Sequence, residues 1–211
     1  YNSDEVKAVL EKYFGTWQST YGEVNGVSLD FPQIKKKEIG FINRTSSTQC
    51  ALQWNKLAPS LKDKDLLAFN IATRIFNVVL FSEIREKGGK TYSIGAGHAA
   101  SQFSNLLTIS CSVRSDEMVN TINLFDKTLA DFAQAKFTQE DFDKVVTGLK
   151  IGVMSVEMPS AISAIYDPLL YDFNKRKNYL KDLSAVKMED VQKVIKKYFS
   201  QNSNLKYHQS I

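Results

Sequence analysis

The residues most suggestive of chemistry lie in one stretch, Arg85-Glu86-Lys87-Gly88-Gly89-Lys90-Thr91-Tyr92-Ser93-Ile94-Gly95-Ala96-Gly97. Gly89-Lys90-Thr91 has the ending of the phosphate loop G-x-x-x-x-G-K-[ST], in which backbone amides and a lysine cradle phosphates between a strand and a helix. The first glycine of that pattern would fall at position 84, which is Ile84. The order of elements is also reversed, with a helical pattern before the glycines and a strand pattern after them. Gly95-x-Gly97-x-x-Ala100 matches the dinucleotide fingerprint loosely, but that fingerprint opens a helix, and here the chain runs on into a second strand. No nucleotide site is expected. Gly95 and Gly97 read as strand positions that another backbone or a bound peptide approaches closely.

Other chemistries are thinly represented. The chain has two histidines, and neither His98 nor His208 belongs to an H-x-x-H arrangement. A catalytic zinc takes three protein ligands, and none can be assembled from these residues. No G-x-S-x-G nucleophile elbow is present. His98 reads as a polar strand residue. Cys50 and Cys111 have no metal-ligand spacing and read as buried thiols, with a disulfide between them left open. The net charge of +4 is mild, and Lys35-Lys36-Lys37 is the one tight basic run, so nucleic acid is not an expected partner. No uninterrupted apolar run reaches the length of a membrane span.

The elements that must position the glycine stretch are legible from periodicity. Ser3-Asp4-Glu5 opens an amphipathic helix that Gly15 ends. Residues 16–37 read as a connector. Residues 38–43 and 48–56 read as strands, the second with Cys50, Leu52 and Trp54 on one face. Residues 62–86 form the most apolar helix. Leu67, Ile71, Ile75, Val78 and Val79 make one stripe, and Phe69, Phe76, Leu80 and Phe81 widen it. Gly88 and Gly89 stop that helix. Strands follow at 91–98 and 105–114. Met118 to Phe132 is helical, and Thr138 with Asp141 makes a near capping box for the next helix, which continues to about Val156. A short helix from about 160 to Asp167-Pro168, a helix at 187–199 and a strand at 205–209 complete the chain. Paired strands separated by runs of helices predict an α+β two-layer sandwich, mostly antiparallel, with helices packed mainly on one face.

The segment Leu80-Phe81…Arg85-Glu86-Lys87-Gly88…Tyr92-Ser93 resembles the C-terminal, non-zinc half-domain of the insulinase/pitrilysin/mitochondrial processing peptidase superfamily of zinc proteases. Thr138-Gln139-Glu140-Asp141 and the Glu189-Asp190-Val191…Tyr198-Phe199 helix are also similar to the family pattern. The resemblance covers most of the chain. It also accounts for an internal echo, because "DEVKAVLEKYF" (4–14) is similar to "EDVQKVIKKYF" (189–199). Residues 1–15 would then be the last helix of a preceding half-domain, 16–37 a connector, and 38–211 a C-terminal peptidase half-domain.

In that family two half-domains face each other across a chamber, and the first carries an inverted zinc motif, H-x-x-E-H. The second supplies an arginine and a tyrosine seven residues apart, a spacing that Arg85 and Tyr92 share. The resemblance implies that Arg85 and Tyr92 bind a peptide substrate and stabilise the oxygen that gains charge in hydrolysis. It implies zinc in the parent enzyme but none bound by these residues, which lack H-x-x-E-H. A zinc-bearing half-domain, in the same chain or in a partner subunit, is the implied partner, and a dimer is one arrangement this allows. The alternative is a non-catalytic scaffold or regulatory half-domain of a processing-peptidase-like complex. Taken singly, Arg85 suits a helix C-terminus and Tyr92 suits ordinary strand packing. Lys87 and Lys90 read as solvated.

Overall fold

The computed structural model describes residues 2–18, 38–42, 48–60, 63–100, 105–154, 173–200 and 205–210. The chain divides into two compact units, Tyr1–Pro32 and Gln33–Ile211. The first contains helix α1 (Ser3–Phe14). Its cap is Asn2 rather than Ser3, since the Asn2 side chain accepts the Asp4 N–H at 3.0 Å. Gly15 closes α1 as the sequence predicts. Its N–H donates to the Glu11 carbonyl, and a Cβ there would meet that oxygen at 2.5 Å.

The second unit holds a five-stranded sheet in the order β1-β5-β2-β4-β3. Its strands are β1 (Glu38–Ile42), β2 (Gln49–Leu57), β3 (Thr91–Ala100), β4 (Asn105–Arg114) and β5 (Leu205–Ser210). The β1–β5 pair is parallel and the other three pairs are antiparallel. This is the α+β arrangement that the strand pairs and helix runs predict. Alternation sets the layers: Cys50, Leu52 and Trp54 of β2 and Leu107, Ile109, Cys111 and Val113 of β4 are buried, while Ala51, Gln53, Ser110 and Ser112 between them are exposed. One face of the sheet therefore carries the core. Cys50 and Cys111 are free thiols on adjacent strands, and burial pushes Cys111 up to about 12.

Helix α2 (Leu66–Leu80) supplies the centre of that core. It begins where Asp63 makes a local turn, its carboxylate accepting the Asp65 N–H at 2.9 Å. Phe69, Ile71, Ala72, Phe76 and Leu80 are fully buried. The expected stripe needs correcting, because Val78 is 62% exposed and the buried face is instead the one centred on Phe69, Ala72 and Phe76. Leu66–Lys87 is long and apolar enough to cross a membrane by length and composition. Its inward side is occupied by the aromatic core, where Phe76 packs on Phe132 at 4.6 Å and Trp54 stacks on Phe125 at 4.0 Å between centroids.

Around α2 lie α3 (Met118–Phe132), α4 (Gln139–Met154), α5 (Phe173–Ala185) and α6 (Met188–Tyr198). The Thr138–Asp141 capping box is present in full. The Asp141 N–H donates to Thr138 Oγ1 at 3.1 Å, and the Thr138 N–H donates to Asp141 Oδ2 at 2.9 Å. Val191, Val194 and Ile195 are buried, as the amphipathic pattern of the last helix requires, whereas Tyr198, also expected inward, is half-buried and Phe199 takes the core position beside it. Helix α5 is not anticipated from sequence. Its segment FNKRKNYLKDLSA is mostly polar, and of its described side chains Leu183 alone is fully buried. The expected short helix at about 160–168 and the expected continuation of α4 through Ser155 and Val156 lie outside the described residues.

One core position contradicts simple patterning. Lys56 continues the buried face of β2 and is fully buried. Its ammonium donates to the Ser200 carbonyl at 3.0 Å, just past the end of α6, and burial pulls its pKa down to about 8. His98 is half-buried, with Nδ1 3.1 Å from Asn70 Oδ1 and Nε2 3.2 Å from the Pro59 carbonyl oxygen. Its ring meets Phe69 edge-on at 4.9 Å. Those contacts make it a packed polar strand residue.

Candidate functional site: an arginine and tyrosine at a helix-to-strand turn

Past Leu80 the backbone does not stop. Phe81–Lys87 continues as a π-helical segment. Widening the turn to i→i+5 bonding inserts a residue and shifts the direction in which side chains leave the helix, a feature common at functional sites. Arg85 projects from this segment. Gly89 then reverses the chain at φ +59°, where only glycine is unstrained. Its N–H donates to the Arg85 carbonyl at 3.1 Å, and the Lys90 N–H reaches the Ile84 carbonyl at 3.4 Å. The first of these, from the left-handed glycine to the carbonyl four residues back, is the single-bond αL closure of a helix end. Gly88 is constrained differently, since a Cβ there would lie 2.7 Å from the Ile84 carbonyl oxygen.

The strand that follows contains a second insertion. Thr91 pairs with Val113 and Ile94 with Cys111, so three steps on β3 oppose two on β4. Such a bulge bends the strand and re-aims side chains. Tyr92 lies inside it and is 88% exposed. The Thr91 hydroxyl holds the bulge by donating to the Ser112 carbonyl at 2.6 Å, while accepting the Ser93 N–H at 3.3 Å.

The two residues meet. The Arg85 guanidinium carbon lies 4.5 Å from the centre of the Phe81 ring and 5.5 Å from that of Tyr92. Among the described residues Arg85 makes no ion pair, so pairing with Glu86 does not account for it. A guanidinium placed against ring faces is held by cation–π attraction. Its N–H edge remains able to donate to a carbonyl or an oxyanion. The sequence reading places Phe81 in the resemblance and in the apolar stripe of the long helix, but it is 39% exposed and its ring faces Arg85 instead. The signal that could have found it is its i,i+4 spacing from Arg85.

The surroundings are polar. Beside Tyr92 an open cleft of about 560 Å³ is lined by Gln49, Lys90, Ser93, Ser112 and Arg114 among others. Lys90 is not simply solvated. It pairs with Glu117 at 2.9 Å and holds that carboxyl below the usual range. Lys87 pairs with Glu83 at 2.6 Å on the exposed helix surface. A second cleft, of about 450 Å³, lies between the start of α2 and helices α5 and α6 and contains neither Arg85 nor Tyr92. Among the described residues no group of three or more His, Cys, Asp or Glu is placed to hold a metal. These residues do not fit a resident zinc.

The fold so described is a two-layer α+β sandwich that brings Arg85 and Tyr92 together at one helix-to-strand turn. The chain belongs to the peptidase M16 inactive domain family, whose profile matches residues 1–149. No curated protein sequence matches it. Among solved structures, a protease from Helicobacter pylori is similar over 100% of this chain and 52% of its own length, at TM-score 0.83 and 15% identity. A peptidase M16 inactive domain from Pseudomonas fluorescens is similar over 87% of this chain and 46% of its own, at TM-score 0.74 and 19% identity. A protein assigned as a zinc protease from Bordetella pertussis is similar over 77% of this chain and 93% of its own, at TM-score 0.66 and 12% identity. The chain thus spans about half the length of the first two.

Proposed function

We propose that this chain is the substrate-binding, transition-state-assisting half of a zinc metalloendopeptidase, with the zinc on another half-domain of the same chain or on a partner chain. The observation that carries this reading is the convergence of Arg85 and Tyr92 on one exposed spot. Two separate backbone insertions, in the π segment and in the β3 bulge, aim them there. Peptide hydrolysis builds negative charge on the carbonyl oxygen as it becomes tetrahedral. Arg85 holds a substrate carbonyl through its N–H edge, and the Tyr92 hydroxyl donates to the oxygen that gains charge. Donors fixed before the reaction stabilise that charge more than water does, because they need not reorganise. The substrate in this reading is an extended peptide, added as a strand to a sheet edge of the zinc-bearing half inside a closed chamber.

The same reading divides the chain into residues 1–15, ending a preceding half-domain, a connector at 16–37, and the half-domain 38–211. Val6, Val9, Leu10 and Phe14 of α1 correspond in the repeated sequence to Val191, Val194, Ile195 and Phe199 of α6. The α6 set is buried, whereas Val6, Val9, Leu10 and Phe14 are 45–55% exposed. An apolar face of this pattern suits the core of a half-domain like the one α6 completes.

The test is peptide hydrolysis by the zinc-loaded full-length protein, or by this chain with its zinc-bearing partner, comparing wild type with Arg85→Ala. A loss in kcat at intact folding and zinc content supports the reading. An inert wild type would favour the scaffold alternative instead.

A further inference from the structure

The helix and strand that carry Arg85 and Tyr92 are tied together a second time, away from the glycine turn. Asn77 lies on α2, eight residues before Arg85, and Ala96 lies on β3, four residues after Tyr92. The Asn77 side chain takes up both backbone groups of Ala96. Its Nδ2 donates to the Ala96 carbonyl at 2.8 Å, and its Oδ1 accepts the Ala96 N–H at 2.6 Å. β3 is the terminal strand of the sheet. Alternate residues of a terminal strand direct their N–H and C=O away from the ladder. At Ala96 those two groups are satisfied by a carboxamide, which presents the same donor and acceptor as a peptide bond. Asn77 therefore substitutes for one residue of a neighbouring strand.

The consequence falls on the loop between the two ties. From Asn77 the chain runs through the π segment, the Gly88-Gly89 turn and the β3 bulge to Ala96. The π turn and the bulge each depart from regular hydrogen bonding, so neither fixes its side-chain direction as tightly as an uninterrupted helix or ladder would. The glycine turn closes one end of this hairpin, and the Asn77–Ala96 pair fixes its base. The expected close approach to the strand glycines is not seen among the described residues, since a Cβ at Gly95 would make only ordinary contact with Asn77 Oδ1 at 3.7 Å and one at Gly97 would meet nothing within 4 Å.

We infer that Asn77 is a positioning residue. Its paired hydrogen bonds to Ala96 set the register of α2 against β3 and so hold Arg85 and Tyr92 at their working separation. This rests on the transition-state role proposed above for that pair. It predicts a dependence on both halves of the carboxamide. Asn77→Ala removes both bonds. Asn77→Asp keeps an acceptor for the Ala96 N–H but sets a carboxylate oxygen against the Ala96 carbonyl.

The test uses the zinc-loaded full-length protein, or this chain with its zinc-bearing partner, and two readouts. Hydrogen exchange at the Ala96 amide should speed up in Asn77→Ala and stay closer to wild type in Asn77→Asp. Peptide hydrolysis should show kcat lowered about 10- to 100-fold in Asn77→Ala, the scale of a small misplacement of catalytic groups. KM should change little, and Asn77→Asp should fall between Asn77→Ala and wild type. The loss should largely vanish when Asn77→Ala is added to Arg85→Ala/Tyr92→Phe, because nothing remains to be positioned. A melting temperature that falls while kcat stays at the wild-type value would overturn the inference. So would an undiminished loss in the Arg85→Ala/Tyr92→Phe background. If Arg85→Ala and Tyr92→Phe alone leave kcat unchanged, the parent reading fails first, and those two variants show it without reference to Asn77.

Discussion

The Arg85 guanidinium carbon lies 5.5 Å from the centre of the Tyr92 ring, although the end of a helix, two glycines and the start of a strand separate the two residues along the chain. Neither residue is where regular structure would put it. Arg85 projects from a π-helical turn and Tyr92 from a β-bulge. Each insertion costs some regular hydrogen bonding, and both fall in one short stretch. Retaining two such irregularities side by side is understandable if the pair they bring together is used.

Phe81 should matter to that pair in a graded way. Its ring is the nearer of the two against the Arg85 guanidinium, at 4.5 Å. An exposed cation–π contact is worth about 0.5–1 kcal/mol, so Phe81→Ala should lower kcat only about two- to fivefold. Phe81→Leu, which keeps bulk without the ring quadrupole, should show most of the same loss. Steady-state kinetics on the zinc-loaded protein decide this. A Phe81→Ala loss as large as that of Arg85→Ala would mean that Phe81 holds up the helix end rather than the guanidinium.

Gly89 tests the turn by itself. A Cβ there would meet nothing within 4 Å, so the whole penalty of Gly89→Ala is backbone strain at φ +59°. That strain amounts to about 1–2 kcal/mol. It should appear as a melting temperature lower by a few degrees, about 2–4 °C per kcal/mol for a domain of this size. Gly89→Asn should lose less, because asparagine tolerates the left-handed region. Equal melting temperatures for Gly89→Ala and wild type would show that the turn can be remade without a left-handed residue.

Lys56 gives the fold a pH signature. Burial lowers its pKa from the ordinary lysine value of 10.5 to about 8. Between those two values the unfolded chain keeps a proton on Lys56 that the folded chain has released. Stability from this group therefore rises as pH climbs through that window, by about 3 kcal/mol in all. Below the window both states carry the charge, and the folded state bears the full cost of burying it. Urea unfolding at pH 7.5 and at pH 10.5 should show a stability difference smaller by that amount in Lys56→Met. Parallel pH profiles for the two proteins would contradict the assignment.

The parts of the fold that were legible from sequence are those fixed by local chemistry. Thr138 and Asp141 cap α4 because two short polar side chains three residues apart can exchange hydrogen bonds whatever surrounds them. β2 alternates as read because one face of the sheet is buried. What was not legible depends on partners distant in sequence. Lys56 sits on a buried face because Ser200 offers a carbonyl to it. Helix α5 has too few apolar residues to announce itself. The exposed Val78 shows that an apolar residue at helical spacing need not mark the buried face. The candidate pair itself was found by resemblance. The π turn and the bulge that aim it leave no sequence signal, because an inserted residue is defined only against the strand or turn it fails to pair with.

The most direct test of the account is kcat for Tyr92→Phe in the zinc-loaded full-length protein, or in this chain with its zinc-bearing partner, at saturating peptide and with folding and zinc content verified. The change removes one hydroxyl from a side chain that is 88% exposed, so stability should not move. If Tyr92 donates to the oxygen that gains charge, kcat falls about 100- to 1000-fold, the usual loss for one such donor. If kcat stays within about twofold of an active wild type, less than about half a kcal/mol of barrier, the hydroxyl takes no part in the reaction and the transition-state role assigned to this half-domain is wrong.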